Sequence, residues 1–241
     1  MSRILLIETA SEVCSAAIAV DGIVVAQVED LHAASHAALL TLQIDACSKA
    51  AGLPLASLDA VAVSNGPGAY TSLRVGASVA KGLCYALDKP LIAVDTLLAL
   101  AGAAKHWYTK DGKHAAHAVY VPALDARRQE IWTALYDANL QLLAPAQPLI
   151  LENNSFQLYL QQGKLPNVSA CAVIAGNGAE KIRSGGKFET TVFFSEIKCA
   201  ANHLAEFAEK YFQNSDFQNV AYFEPFYMKL PNITKPGNST F

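Results

Sequence analysis

Three short apolar runs open the chain, at 3–9, 13–20 and 22–29, and their length and alternation predict strands. The turn Thr9-Ala10-Ser11-Glu12 joins the first two, so the three are expected to be linked as hairpins. A helical pattern then runs over 33–51, with Gly52 and Pro54 as its stop. Next come a strand over 58–64, a helix over 71–87, a strand over 90–94, and a third helix that Asp95 or Thr96 can cap through a side-chain oxygen. The order is βββαβαβα, in which the later strands join the sheet in parallel through right-handed helical crossovers.

The second half starts again with strands, in "HAVYVPALDA" and "EIWTALYD". It continues with apolar runs at 170–175 and 191–194 and a final helix over 200–212, before a tail rich in Pro, Asn and aromatics. The first order is that of a ribonuclease-H-like half, and two halves that both open on strand hairpins suggest a duplicated α/β architecture. No internal sequence repeat is strong enough to prove it. The polar, glycine-bearing stretch 108–117 is the expected boundary, giving a first lobe over 1–107, a second over 108–225 and a tail over 226–241.

Composition narrows the class. With 241 residues, 52% of them hydrophobic and 16% charged, the chain has ample core. A formal net charge of −3, with no run of lysine or arginine, argues against gripping tRNA or DNA alone, because phosphate neutralisation needs clustered cations. Glu8 and Glu12 interrupt the apolar N-terminus, so it does not read as a signal peptide, and no apolar run reaches membrane-spanning length. Cys14, Cys47, Cys84, Cys171 and Cys199 form no CxxC pair and suit reduced thiols in the cytoplasm. The sequons at Asn153, Asn167, Asn232 and Asn238 are then coincidental.

Candidate chemistry gathers at turns. In "SNGPGAYTSLRVG", residues 64–76, a strand breaks at Gly66-Pro67-Gly68 and a helix begins, as in many phosphate-holding turns. It is neither a Walker loop nor a GxGxxG fingerprint, so an anion role and a tight structural turn both remain open, and the same holds for Gly176-Asn177-Gly178. His32 and His36 share a helix face at metal-ligand spacing, but lack a third ligand and a general base; His114 and His117 fall in an expected loop. Glu8 and Asp125 end the strands that open each half, where carboxylates can hold Mg²⁺ beside phosphates. Alternatively, the charges of "DARRQE", 125–130, pair locally. No GxSxG elbow is present.

The two helices beside the glycine turn carry more apolar surface than one sheet can cover. In the 71–87 helix the polar positions Arg74, Ser78, Lys81 and Tyr85 form one narrow stripe. In the preceding helix Leu40, Ile44, Cys47 and Ala51 lie on one face and Leu39, Leu42, Ala46 and Ala50 on a neighbouring one. Either the helices cover each other, or one face meets a second protein, with Gly76 and Ala80 allowing close approach.

The motifs "ILLIETASEVCSAAIAV", "VSNGPGAYTSLRVGASVAKGLCYAL", "PLIAVDTLLALA", "ALDARRQEIWTALY" and "EPFYMKL" resemble the bacterial TsaB family. That family supplies the companion subunit in synthesis of N6-threonylcarbamoyladenosine at position 37 of tRNAs reading codons that begin with A. The resemblance implies the actin-like, sugar-kinase and Hsp70-type ATPase fold. It also implies a non-catalytic partner of the related TsaD subunit, which works with the ATPase TsaE and transfers threonylcarbamoyl from its AMP ester. Where TsaD carries a metal-binding His-x-x-x-His, this chain has Thr96 and Leu100, so no metal and no transfer site are expected here.

The implied partner contacts are Leu39, Leu42, Ala46, Arg74, Gly76, Ala77, Ala80 and Lys81, and Ala77→Glu or Gly76→Leu is expected to abolish the complex while leaving the chain folded. Thr9, Ser11, Gly66, Gly68, Gly176 and Gly178 are implied remnants of phosphate-binding turns. No cofactor of its own is expected; ATP or ADP and Mg²⁺ would belong to the complex. tRNA would be reached through the partners, and the same apolar face would serve a homodimer when TsaD is absent. Glu8 stands where relatives usually have aspartate and Ser72 where they have glycine, which weakens the case for residual nucleotide binding. The competing readings are an independent Mg²⁺-dependent ATPase or small-molecule kinase built on Glu8 and Asp125, and a metallopeptidase, which would need a bound metal.

Overall fold

The computed structural model describes residues 1–31, 35–110, 118–162, 171–184, 191–194 and 196–228. The first sheet contains β1 (Arg3–Glu8), β2 (Cys14–Val20), β3 (Ile23–Asp30), β4 (Ala60–Ser64) and β5 (Leu91–Val94) in the order β3-β2-β1-β4-β5. β1 pairs antiparallel with β2 and parallel with β4, and β4 pairs parallel with β5. Central strands covered on both faces read as unbroken apolar runs, and Ile4 to Ile7 of β1 are buried on both faces.

The second sheet repeats this plan with β6 (Ala118–Asp125), β7 (Glu130–Tyr136), β8 (Leu142–Ile150), β9 (Cys171–Ala175) and β10 (Thr191–Phe194). Its order, read from β8, is β8-β7-β6-β9-β10, with the antiparallel and parallel pairings in the same places. Two sheets of identical connectivity establish the duplication that the sequence pattern suggested.

Helices α1 (His36–Ala51) and α2 (Tyr70–Leu87) cover the outer face of the first sheet through Leu40, Ile44, Cys47, Ala77, Ala80 and Cys84. The inner faces of both sheets meet a shared layer. There α3 (Thr96–Lys110) packs on the second sheet, while the 3₁₀ turn Ala201–Leu204 and α6 (Ala205–Gln213) pack on the first. The last helix among the described residues therefore closes the lobe that opens the chain. The short helices α4 (Ser155–Gln162) and α5 (Ala179–Ser184) cover the outer face of the second sheet.

Local chemistry sets the element ends. Ser35 caps α1, its hydroxyl accepting from the Ala38 N–H, and Gly52 ends it in the left-handed region at φ 65°. The helix thus begins at His36; positions 32–34, with His32, lie outside the described residues, as do His114 and His117 and most of the expected boundary at 108–117. Asp95, not Thr96, caps α3 by accepting from the Leu98 N–H at 2.8 Å. The expected helix over 200–212 is a 3₁₀ turn followed by α6. Among the described residues no helix is long and apolar enough to cross a membrane, and all five cysteines are buried without a disulfide.

Candidate functional site

Between the lobes lies a cleft of about 840 Å³. Four turns build its walls: 9–13 between β1 and β2, 65–69 between β4 and α2, 126–129 between β6 and β7, and 176–178 between β9 and α5. Tyr227 and Met228 of the C-terminal segment complete it. In a duplicated fold of this type, the ends of equivalent strands converge at such a cleft, so this is where a ligand would be sought.

The glycine turns are packed turns. The Gly66 N–H donates to Thr96 Oγ1 at 3.0 Å, and the Ala69 N–H to the Ala10 carbonyl at 2.7 Å. A Cβ at Gly68 would stand 2.4 Å from the Ala10 carbonyl oxygen, and one at Gly66 would stand 2.6 Å from that of Phe226. Gly176 and Gly178 do the same in the second lobe. Their N–H groups donate to Ile197 and Ala123 carbonyls at 2.9 Å, and a Cβ at Gly176 would lie 2.2 Å from the Ala123 oxygen. A phosphate nest needs N–H groups that point outward without partners. Here four such groups are already bonded within the chain.

Glu8 and Asp125 do not form an open carboxylate pair. Glu8 is 1% exposed and turned inward, accepting from the Ala10 N–H at 2.5 Å and the Ser64 hydroxyl at 2.9 Å. Burial pushes its carboxyl up to about 7 from an ordinary 4.5, against the pull of those hydrogen bonds. Asp125 lines the cleft, but accepts from Lys181 Nζ at 2.6 Å and from the Arg127 N–H at 2.6 Å. The local pairing expected within "DARRQE" is corrected accordingly: the Asp125 cation partner comes from α5. Arg127 and Arg128 make no ion pair among the described residues and occupy the left-handed region at φ 68° and 49°.

The Glu8 environment gives a signed prediction. Its folded pKa lies above the unfolded one, so its contribution is full below about pH 4.5 and is lost as pH rises through about 7. Comparing wild type with Glu8→Gln in denaturant unfolding, the wild type should lose about 3 kcal/mol relative to the variant between about pH 4.5 and pH 8. Parallel pH curves would refute this.

A polar clasp that the sequence did not reveal spans the lobes. Glu12, in the β1–β2 turn, accepts from Asn177 Nδ2 and pairs with Lys198 at 3.3 Å. The Asn177 Oδ1 accepts from the Asp125 N–H at 2.9 Å. Residues 12 and 177 are joined only by the fold, so no local motif could have signalled them. Asn177→Leu strands the Asp125 N–H and should cost about 1–3 kcal/mol in urea unfolding; an unchanged midpoint would show that the clasp is dispensable.

The helix face proposed from sequence is partly corrected. Gly76, Ala77 and Ala80 are buried against the first sheet, and a Cβ at Gly76 would lie within 2.3 Å of Thr9 Oγ1. The close approach that Gly76 permits is to Thr9 of the same chain. Lys81 donates to the carbonyls of Ala221 at 3.2 Å and Phe223 at 3.0 Å, pinning the C-terminal segment over α2. Arg74 is exposed, its guanidinium 5.4 Å from the Tyr70 ring, which in turn packs on Tyr227 at 4.7 Å.

Leu42 and Ala46 do face outward, and Leu39 is half-buried. Ala50 and Tyr85, read from the sequence on the neighbouring face and the polar stripe, are exposed as well; sequence reasoning missed Ala37 and Ala38 of α1, and Gly82 and Ala86 of α2. A Cβ at Gly82 meets nothing within 4 Å, and Tyr85 is 87% exposed. Apart from Arg74, the charged residues fully exposed on this pair of helices are Asp45 and Lys49, which neutralise each other.

Where the resemblance implied that a TsaD-type metal pair is missing, Leu100 is a core residue and Thr96 is buried, its hydroxyl holding the Gly66 turn. Among the described residues no three His, Cys, Asp or Glu side chains cluster as metal ligands. His36 Nε2 lies 3.2 Å from the Val13 carbonyl, as a donor would.

The duplicated sheets, the shared helical layer and the interlobe cleft define a two-lobed protein of the actin-like class. A family model described as "TsaD: tRNA N6-adenosine threonylcarbamoyltransferase" matches residues 23–237. The chain belongs to this family, and within it to the TsaB group. The TsaB proteins of Haemophilus influenzae and Escherichia coli, named for tRNA threonylcarbamoyladenosine biosynthesis, are each 35% identical to it. The first match covers 54% of this chain and 51% of the relative, the second 56% and 54%. The chain thus spans about half the length of the curated relatives it matches. The structure of YeaZ from Pseudomonas aeruginosa superposes with a TM-score of 0.77 at 25% identity, over 94% of this chain and all of that one.

Proposed function

We propose that this chain is a non-catalytic subunit in the synthesis of tRNA N6-threonylcarbamoyladenosine, acting by binding a TsaD-type transferase through the outward face of α1 and α2. The observation that carries the reading is the contrast between two surfaces. The interlobe cleft has four N–H groups of its glycine turns, and the Glu8 and Asp125 carboxylates, bonded within the chain. The α1–α2 face is instead exposed, apolar and nearly uncharged around Leu42, Ala46, Gly82 and Tyr85. Contiguous apolar surface of that kind marks a protein contact. TsaE and tRNA would be engaged through the transferase, ATP or ADP and Mg²⁺ would sit at the complex, and two copies of this chain would pair through the same face when the transferase is absent.

The test is threonylcarbamoyl transfer to tRNA by the TsaD-type and TsaE-type proteins supplied with threonylcarbamoyl-AMP, with and without this chain. Transfer that depends on adding it supports the subunit reading. Transfer indifferent to it, combined with Mg²⁺-dependent ATP turnover by the purified chain, would favour the kinase-like alternative instead.

A further inference from the structure

The cleft and the α1–α2 face leave the stretch "EPFYMKL" without a task, yet the chain around it, residues 218–227, is fixed at successive points. The Gln218 N–H donates to the Leu91 carbonyl, on the edge strand of the first sheet, at 2.8 Å. Asn219 Oδ1 accepts from the Ala221 N–H at 3.0 Å and the Tyr222 N–H at 3.3 Å, a side-chain turn that redirects the chain. Lys81 then holds the Ala221 and Phe223 carbonyls, the Phe226 N–H donates to the Asn65 carbonyl at 2.7 Å, and the Tyr227 ring packs on Tyr70. Lys81 and Tyr70 stand about three turns apart on α2, so the segment runs along that helix in the opposite direction.

Burial alternates along it. Phe223 and Pro225 are buried, and Pro225 brings no N–H that would need a partner there; Tyr222, Glu224 and Phe226 face outward. Tyr222 is 83% exposed and Phe226 48%. Four large aromatic side chains are exposed among the described residues, Tyr85, Phe217, Tyr222 and Phe226, and only Phe217 lies off α2 and this segment. Such grouping differs from the single apolar side chains scattered over any surface. A backbone fixed in advance also costs little to order on association, and aromatic side chains on it are the usual anchors of an interface. Lys81, expected from the resemblance to touch the partner, acts here as a positioning residue, its ammonium occupied by two carbonyls of its own chain.

We infer that Tyr222 and Phe226 form a second strip of the docking surface for the TsaD-type transferase, meeting apolar surface of that partner beside the contact made by Leu42 and Tyr85. The occupant follows from continuity with the α1–α2 face: Tyr85 stands one turn from Lys81, and Tyr222 lies between the two residues whose carbonyls Lys81 holds. Charge agrees with a polar rim around an apolar centre. Glu224 and Arg74 are exposed, opposite in sign and in no ion pair among the described residues, whereas Asp45 and Lys49 are already paired. The inference rests on the subunit reading and extends it from the helix pair to the segment beside it.

The test titrates the full chain against the TsaD-type transferase by calorimetry, with urea unfolding of each variant alongside. Tyr222→Ala and Phe226→Ala should each weaken binding about tenfold, and the double variant about a hundredfold. The Tyr222→Ala midpoint should stay at the wild-type value; if Phe226→Ala lowers its own, Tyr222→Ala decides alone. Ile150→Ala, 55% exposed on β8 of the other lobe, should bind as wild type does. The inference is overturned, and the subunit reading kept, if Tyr222→Ala binds as wild type does while Leu42→Glu does not. Wild-type binding by Leu42→Glu as well would remove the helix face and the segment together. If sedimentation shows that Tyr222→Ala loses only pairing between copies of this chain, the strip serves a second copy and the inference fails.

Discussion

Gly76→Leu is expected to destabilise the fold itself, and not merely to detach a partner. The Gly76 position on α2 faces Thr9, whose hydroxyl would lie 2.3 Å from a new Cβ, and Thr9 is fully buried in the β1–β2 turn. Helix propensity alone favours replacing glycine by about 1 kcal/mol. Overpacking works against it, and forcing a leucine into a filled contact typically costs about 1–3 kcal/mol, more where the neighbour cannot move. Thr9 has little room to move, because the turn that carries it also takes the Ala69 N–H and abuts Gly68. A loss of about 3 kcal/mol or more is therefore expected in urea unfolding. Ala77→Glu should be comparable, since it puts a carboxylate at a position 5% exposed in the core under α2. If either variant unfolds at the wild-type midpoint, the assignment of this helix face is wrong.

That reversal shows what the pattern along the chain can and cannot carry. The unbroken run Ile4–Ile7 and the helical periods around it made the order βββαβαβα legible, because burial on both faces and burial on one leave different signatures. Small residues leave none. Gly76, Ala77 and Ala80 satisfy a sheet packed closely beneath a helix and a partner packed closely above it equally well, so the sequence could not say which side they served. The glycine of α2 with open space beside it, Gly82, lies six residues on from Gly76.

β8 was hidden for another reason. Pro145 and Pro148 break the look of a strand, yet β8 is the edge of its sheet, where a missing N–H is tolerated. The turn glycines were legible as turns, but only the fold could show that their N–H groups face the chain's own carbonyls. The Glu12–Asn177 clasp and the capture of α6 by the first sheet depend on contacts between distant segments, for which no local signal exists.

Gly82→Arg is expected to do what Gly76→Leu cannot: remove the partner and spare the fold. At Gly82 a side chain meets open solvent, so the helix gains from losing a glycine and nothing in the chain must shift. Stability should therefore stay level or rise by up to about 1 kcal/mol. Docking is affected differently. The exposed side of the helix pair offers Leu42, Ala46, Tyr85 and Ala86, and the one exposed acidic residue within α1 and α2, Asp45, is already paired with Lys49. A charge enclosed there on association would cost at least about 3 kcal/mol, more than a hundredfold in affinity. Copurification with the TsaD-type transferase should be lost, and tRNA threonylcarbamoylation with it, while the urea midpoint holds. Leu42→Glu, on the facing helix and 66% exposed, should give the same pair of results. Arg127→Ala, in the cleft, should give neither. A Gly82→Arg protein that still binds the transferase and still supports transfer would place the docking surface elsewhere. If the cleft variant alone impaired transfer, the activity would belong to the cleft and the subunit reading would fall.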